Sequence, residues 1–310
     1  MNKYKALISS AALALLPTHA VFAADDDMVF KVGFTPASAF LPLYAADAQG
    51  FFEKRGLSVE LQLTPVGSTI PAALLSESLT VGTLTPSIFL LGNAGGLDLD
   101  IIAAASFLSS AKTTAGAASS ADTPLSAPED FVGKRVAAPG LNSIQHVLFQ
   151  KWLGEAGVDP RDVSFVEAPF PQMGDMLKGG TVDAALMVEP FLSRAQASGV
   201  AAAPVVFAPE ERTLEAFYAI SARVAEAHPD SVALFREAIV EGTEWVAANE
   251  DAARTLQTTY LKLPEEVAAT VPLPEFGAEI AASDLDWWIA SMQAQGILEE
   301  GFTSDGMIVE

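Results

Sequence analysis

Short apolar runs that alternate with helix-periodic segments constrain this chain more than any other feature. Strand candidates fall at 30–34, 59–63, 81–84, 101–104, 136–138, 163–166, 184–188 and 205–207, bounded by turn-forming and small polar residues. Between the first two, Leu41, Tyr44, Ala45, Ala48 and Phe52 recur at helical spacing, and Gly56 follows the last turn. Such alternation predicts an α/β fold, with a mainly parallel sheet and helices on its faces. The expected role of those five helical residues is core.

The order strand, loop with Pro or Gly, helix, Gly stop, strand occurs twice, the second time in RVAAPGLNSIQHVLFQKWLGEAGVDPRDVSFVEAP. Further along, LLSESLTVGTLTPSIF can be laid on LKGGTVDAALMVEPF, so that 85–87 matches 188–190. Two related α/β lobes are implied, a weak repeat rather than a solenoid. Between them SFLSSAKTTAGAASSADTPLSAPEDFVGK is small and polar, with Pro128 suited to the first turn of a short helix. After FAPEERTLEAF the chain reads as helical over 231–249, 251–260 and 283–295. Ser283 and Asp286 have the spacing of a capping box, and Gly296 is the stop. These late helices are expected to return to the first lobe. The organisation is then 1–23 signal peptide, 24–109 first part of lobe 1, 110–206 lobe 2 and 207–310 second part of lobe 1. A chain that crosses twice between lobes, near Ser109 and Phe207, makes a hinge, and a hinged cleft can close around a ligand.

The first stretch, MNKYKALISSAALALLPTHAVFAADDD, combines Lys3 and Lys5, an apolar core over 6–16, and Val21 and Ala23 in small-residue cleavage positions. It reads as a secretory signal peptide cut after Ala23. The apolar core is too short for a bilayer of about 30 Å. With no cysteine in the chain, disulfides and a lipid-anchored cysteine are excluded, and a Gram-negative periplasm is the expected location. The net charge of −22 opposes nucleic-acid binding, which requires a basic face. It fits a solvated acidic surface instead.

Signatures of catalysis are poor. HExxH, GxSxG, CxxC and Walker patterns are absent. Of the three histidines, His19 lies in the leader, His228 precedes Pro229 in a loop, and His146 stands alone on a helix, where a structural role is expected. Acidic residues are dispersed, so no calcium or zinc cage is indicated, and no cofactor is expected. In GGTVDAALMVEPF, Asp183 and Glu189 bracket one strand. A rise of about 3.3 Å per residue separates their Cα atoms by roughly 20 Å, whereas paired acid/base carboxylates sit about 5 to 9.5 Å apart. They cannot serve one bond. Asp183 reads as turn or cap chemistry. Glu189 closes the strand at its carboxyl end, where open α/β sheets bind ligands; the competing role is a solvated loop charge.

Recognition features are better developed. Four strand-to-helix loops, 35–38, 67–69, 85–87 and 140–143, carry small hydroxyl or amide residues where a helix begins. Helix starts leave N–H donors unpaired and can hold an anion without Arg or Lys, although ordinary N-capping uses the same residues. The candidate ligand-binding set is Thr35, Ser38, Phe40, Gly67, Ser68, Thr69, Thr85, Ser87, Phe107, Asn142, Ser143, Phe170 and Glu189. Phe34 and Phe191 are further candidates for the wall of the cleft.

The stretches VGFTPASAFLPLYAADAQGFFEKRGLSVEL, DFVGKRVAAPGLNSIQHVLFQKWL, VSFVEAPFPQMGDMLKGGTVDAALMVEPF and WWIASMQAQGIL resemble, as an ordered set, the periplasmic solute-binding proteins of ABC importers of the nitrate, taurine and alkanesulfonate type. These share a fold with the thiamine-pyrimidine-precursor (NMT1/THI5-like) proteins. The resemblance implies the two-lobe periplasmic-binding-protein (Venus flytrap) fold, joined by two hinge crossovers. It also implies a monomer that captures a small anionic or zwitterionic solute and delivers it to an inner-membrane permease. The family's Gly-x-x-Asp before the third strand is kept in the second copy, 180–183, whereas the first copy reads 77–80 as Glu-Ser-Leu-Thr. A binding protein for a heteroaromatic vitamin precursor is the alternative. An enzyme on the same fold, such as the thiamine pyrimidine synthase, is opposed by the leader and the lack of cysteine.

Overall fold

The computed structural model describes residues 28–309; the expected leader and its cleavage point lie outside them. The chain first lays down β1 (Val29–Phe34), α1 (Leu41–Ala48), β2 (Ser58–Leu63), α2 (Ile70–Leu75), β3 (Val81–Leu84), α3 (Pro86–Ala94) and β4 (Leu99–Leu108). It continues into β5 (Ala115–Ser119), β6 (Arg135–Ala138), α4 (Ile144–Glu155), β7 (Ser164–Glu167), α5 (Phe170–Lys178), β8 (Ala184–Val188) and α6 (Phe191–Ala197). The last part holds β9 (Thr213–Ser221), α7 (Ala222–Ala227), α8 (Pro229–Ala248), α9 (Glu250–Tyr260), α10 (Glu265–Ala268), β10 (Glu275–Phe276) and α11 (Ser283–Ala294).

Two sheets result, ordered β10-β4-β9-β3-β1-β2 and β5-β8-β6-β7. In each, the three strands of the repeated unit run parallel with the first in the middle: β2-β1-β3 and β7-β6-β8. The strands entering from the crossovers, β9 and β5, pair antiparallel beside β3 and β8. β4 and β10 extend the larger sheet, also antiparallel. The expected mainly parallel sheet therefore describes only the repeated units.

The repeat extends to single bonds. In the larger sheet Thr80 N–H donates to the Lys31 carbonyl at 2.8 Å, and Lys31 N–H donates to Thr80 Oγ1 at 3.2 Å. In the smaller sheet Asp183 N–H donates to the Arg135 carbonyl at 2.8 Å, and Arg135 N–H donates to Asp183 Oδ2 at 2.8 Å. That backbone bond is the first cause holding the Asp183 carboxyl below its ordinary range. Asp183 is a cross-strand tie. Glu77, at φ 54°, stands in the left-handed turn that Gly180 occupies at φ 65°. The first copy thus keeps the turn with a less suited residue and substitutes a threonine hydroxyl for the carboxylate.

The late helices pack on the larger sheet. Phe235 of α8 stacks on Phe30 of β1 at 5.5 Å and on Phe52 at 5.0 Å, and Trp288 of α11 donates its ring N–H to the Leu214 carbonyl of β9 at 2.7 Å. Full burial of side chains of this kind stabilises by about 1.5–3 kcal/mol each. Helix α8 meets α1 so closely that a Cβ on Gly242 would lie 2.4 Å from the Pro42 carbonyl oxygen.

Three local expectations are corrected. Residues 205–207 form no strand; Val205 makes an isolated bridge to Ala117. Two strands, β5 and β9, occur where a polar linker and the approach to the late helices were expected. Helix α11 lacks the Ser283–Asp286 capping box: Asp284 Oδ2 instead accepts from Ala281 N–H at 2.8 Å.

Candidate functional site

A cleft with about 670 Å³ of free space, including its open mouth, lies between the two sheets. Its walls come from the loops that follow parallel strands: Thr35 after β1, Thr85 after β3, Pro139 after β6, and Glu189 after β8. This is the position at which doubly wound sheets bind ligands. Thr114, just before β5, and Glu215 and Ala216, from β9, complete the floor.

The loops are fixed by specific bonds. Thr35 N–H donates to Thr83 Oγ1 at 3.1 Å. Ser38 Oγ donates to Gln257 Oε1 of α9 at 2.6 Å in a buried position. Ser38 N–H reaches the opposite side of the cleft and donates to the Glu189 carbonyl at 3.1 Å. Ser143 caps α4, its Oγ accepting from His146 N–H at 3.4 Å. Thr85 holds the N-cap position of α3 without a side-chain bond to the helix, and its buried Oγ1 has no protein partner.

Two buried carboxyl groups line the cleft. Glu189 is 4% exposed; its oxygens accept from Ser193 N–H at 3.1 Å and Ser193 Oγ at 2.9 Å, closing the start of α6. Glu215 is also 4% exposed; its oxygens accept from Ser106 Oγ at 2.9 Å and Thr114 Oγ1 at 3.2 Å. Burial pushes both above the ordinary glutamate range, and the hydroxyl and amide donors oppose it. Thr114 joins the pair: its hydroxyl donates to Glu215 and its carbonyl accepts from Glu189 N–H at 2.7 Å. Among the described residues no Lys, Arg or His lines this cleft.

Of the residues singled out from sequence, the structure brings Thr35, Ser38, Phe40, Gly67, Thr85, Ser143, Phe170 and Glu189 to the cleft. The others lie elsewhere, for identifiable reasons. Ser68 is exposed and does not line the cleft, and Thr69 donates to the Val66 carbonyl. Ser87, one residue inside α3, points into the core with its hydroxyl unpartnered. Phe107 is buried in β4 beneath the Arg212 guanidinium. Asn142, at φ 62°, gives its N–H to His146 Nδ1. Of the two further wall candidates, Phe191 stacks behind Phe170 and Phe34 packs edge-on against Tyr44. Glu189 is not a solvated loop charge.

Thr114, Gln145 and Glu215 were not singled out by sequence. For Glu215 a signal existed: one carboxylate inside TLEAFYAIS, an otherwise β-forming run. His146, inside α4, is buried edge-on to Phe165 at 4.3 Å, and burial lowers its pKa to about 4. It does not line the cleft. Among the described residues no group of His, Cys, Asp and Glu could hold a metal ion.

Two α/β units of matching topology, joined by paired crossovers around a partly polar cleft, define the class of two-lobed periplasmic-binding-protein folds. Residues 37–253 match the NMT1/THI5-like family, and the chain belongs to it. It is 24% identical over 235 residues to the taurine-binding periplasmic protein of Escherichia coli, covering 73% of this chain and 68% of that protein. It is 29% identical over 180 residues to a nitrate import ATP-binding protein of Synechocystis, covering 53% of this chain but only 27% of that protein's length. The alkanesulfonate-binding protein of Xanthomonas axonopodis pv. citri, solved with MOPS, superposes with a TM-score of 0.80 over 92% of this chain and 99% of that one, at 18% identity.

Proposed function

We propose that the chain is the solute-binding component of an ABC importer, exported to the periplasm with loss of residues 1–23. There it captures a small anionic or zwitterionic solute of the sulfonate, taurine or nitrate kind and presents it to a membrane permease. The carrying observation is the cleft itself, built from matching strand-end loops of both units and crossed by the Ser38–Glu189 backbone bond. A ligand held there contacts both units at once, so its binding energy favours the closed arrangement. Hinge motion is assigned to the segments around 109–114 and 206–212, where the chain passes between the sheets. The N–H groups at the starts of α3 and α4, with Thr85 Oγ1 and Ser143, suit an acidic group. The cleft is read as a binding site rather than a catalytic one, because no Cys, His or Lys lines it among the described residues.

Phe40 and Phe170, on opposite walls, support a second reading, a flat heteroaromatic solute of the thiamine-pyrimidine kind. Thermal unfolding against a panel of taurine, alkanesulfonates, nitrate and aminopyrimidines tests both. Saturable stabilisation by a sulfonate, taurine or nitrate supports the first and by an aminopyrimidine the second. No response, from a protein shown to be free of carried solute, contradicts both.

A further inference from the structure

The geometry points to a solute that carries a protonated nitrogen, seated on Glu215 at the floor of the cleft. This rests on the solute-binding reading, keeps its zwitterions, sets aside its simple anions and adds amines. Glu215 is almost wholly buried, lines the cavity, and is held only by two neutral hydroxyls, Ser106 and Thr114. Among the described residues no cation pairs with it. A carboxylate in that position has about four acceptor sites, and two hydroxyl donors leave the rest unfilled. A buried charge without a counter-charge is strongly disfavoured. In the empty protein the raised affinity of Glu215 for a proton answers that cost; in the loaded protein an ammonium or ring N–H⁺ would replace the proton and donate to the same oxygens.

Glu189 is the poorer seat: like Glu215 it accepts two bonds, but both come from Ser193, one of them from its backbone N–H, and together they close the start of α6. It lies next to the same floor through Thr114 and adds negative potential there. A simple anion would find no Lys, Arg or His lining the cleft to pair with, in a chain of net charge −22, and would have to keep both carboxyl groups protonated. An acidic end is tolerated only where the helix starts and Thr85 lie. The solute class is therefore an amine or a zwitterion, and Glu215 is the residue that distinguishes it from an amine-free analogue.

Matched probes decide the matter on the unaltered protein. Calorimetry is run with taurine, 2-aminoethanol and 1,4-diaminobutane against amine-free ethanesulfonate and nitrate, after solute carried through purification has been removed and identified by mass spectrometry. The expected result is a carried solute with a protonatable amine or ring nitrogen, or saturable binding by at least one amine, with amine-free probes at least tenfold weaker. Glu215→Gln should weaken the amine tenfold or more, the loss of a charge-assisted bond. Equal or tighter binding of ethanesulfonate or nitrate overturns the assignment, as does undiminished amine binding by a folded Glu215→Gln protein. An empty cleft that binds none of the probes removes the solute-binding reading itself, and the amine assignment falls with it.

Discussion

The Ser38 N–H donates to the Glu189 carbonyl at 3.1 Å, joining the loop after β1 to the loop after β8 across the cleft. The same serine is anchored on its own side by the 2.6 Å bond from its hydroxyl to Gln257. Ser38 thus carries the position of α9 to the cleft wall.

Ser38→Ala keeps the backbone bond and removes only the anchor. It leaves the fully buried Gln257 Oε1 without that donor, and an orphaned buried acceptor costs about 1–3 kcal/mol. Urea unfolding should show a loss of that size with an unchanged denaturant slope.

Glu189→Ala strips α6 of the acceptor that closes its first turn. Loss of an end-capping acceptor costs about 0.5–2 kcal/mol, so the empty protein should melt at lower temperature. A melting curve identical to the parent's would mean that the Ser193 bonds contribute nothing.

Gly242→Ala tests the contact between α8 and α1. The added methyl would stand 2.4 Å from the Pro42 carbonyl oxygen, with Ala46 Cβ at 3.2 Å. Overpacking of this kind costs about 1–3 kcal/mol, outweighing the helix preference for alanine of about 1 kcal/mol. Chemical denaturation should therefore find the variant less stable.

His146 makes stability depend on acid. Its pKa is lowered by burial from 6.5 to about 4. The unfolded chain therefore takes up a proton at higher pH than the folded one does. Stability is retained above about 6.5 and declines as pH falls from there towards 4, by up to about 3 kcal/mol. His146→Gln should flatten that part of the stability profile, measured by denaturant midpoints between pH 4 and 7.

The parts of the fold legible in the sequence are those whose burial leaves a pattern. Parallel strands such as 184–188 read as apolar runs between turn residues, and the spacing of Leu41, Tyr44 and Ala45 marked a core-facing helix, although Ala48 of the same expected set is exposed and Phe52 is buried beyond the end of α1. β5 and β9 escaped for opposite reasons. β5 is Ala-Gly-Ala-Ala-Ser, too small to register as apolar; a Cβ at its Gly116 would lie 2.7 Å from Pro204. β9 is buried along its whole length, so period-two alternation is lost, and Glu215 breaks its apolar run. Missing β9 meant missing Glu215. In the cleft, loops adjoining strand ends were legible as turn chemistry, but the direction of each side chain was not. Ser87 and Thr85 are two residues apart and face different surroundings because α3 begins between them.

The most direct test of a solute trap is native mass spectrometry of the full chain purified without added solute, beside a Gly67→Trp variant. Gly67 lies on a half-buried loop of the cleft, and a Cβ there would meet Thr35 Cγ2 at 3.3 Å and Ile88 Cδ1 at 3.7 Å, both cleft-lining residues, so a Trp at this position crowds the cavity. One small molecule per parent chain is expected, released on denaturation and absent from the variant. A parent chain that carries no solute and binds none, or a variant that retains the same molecule undiminished, would contradict it.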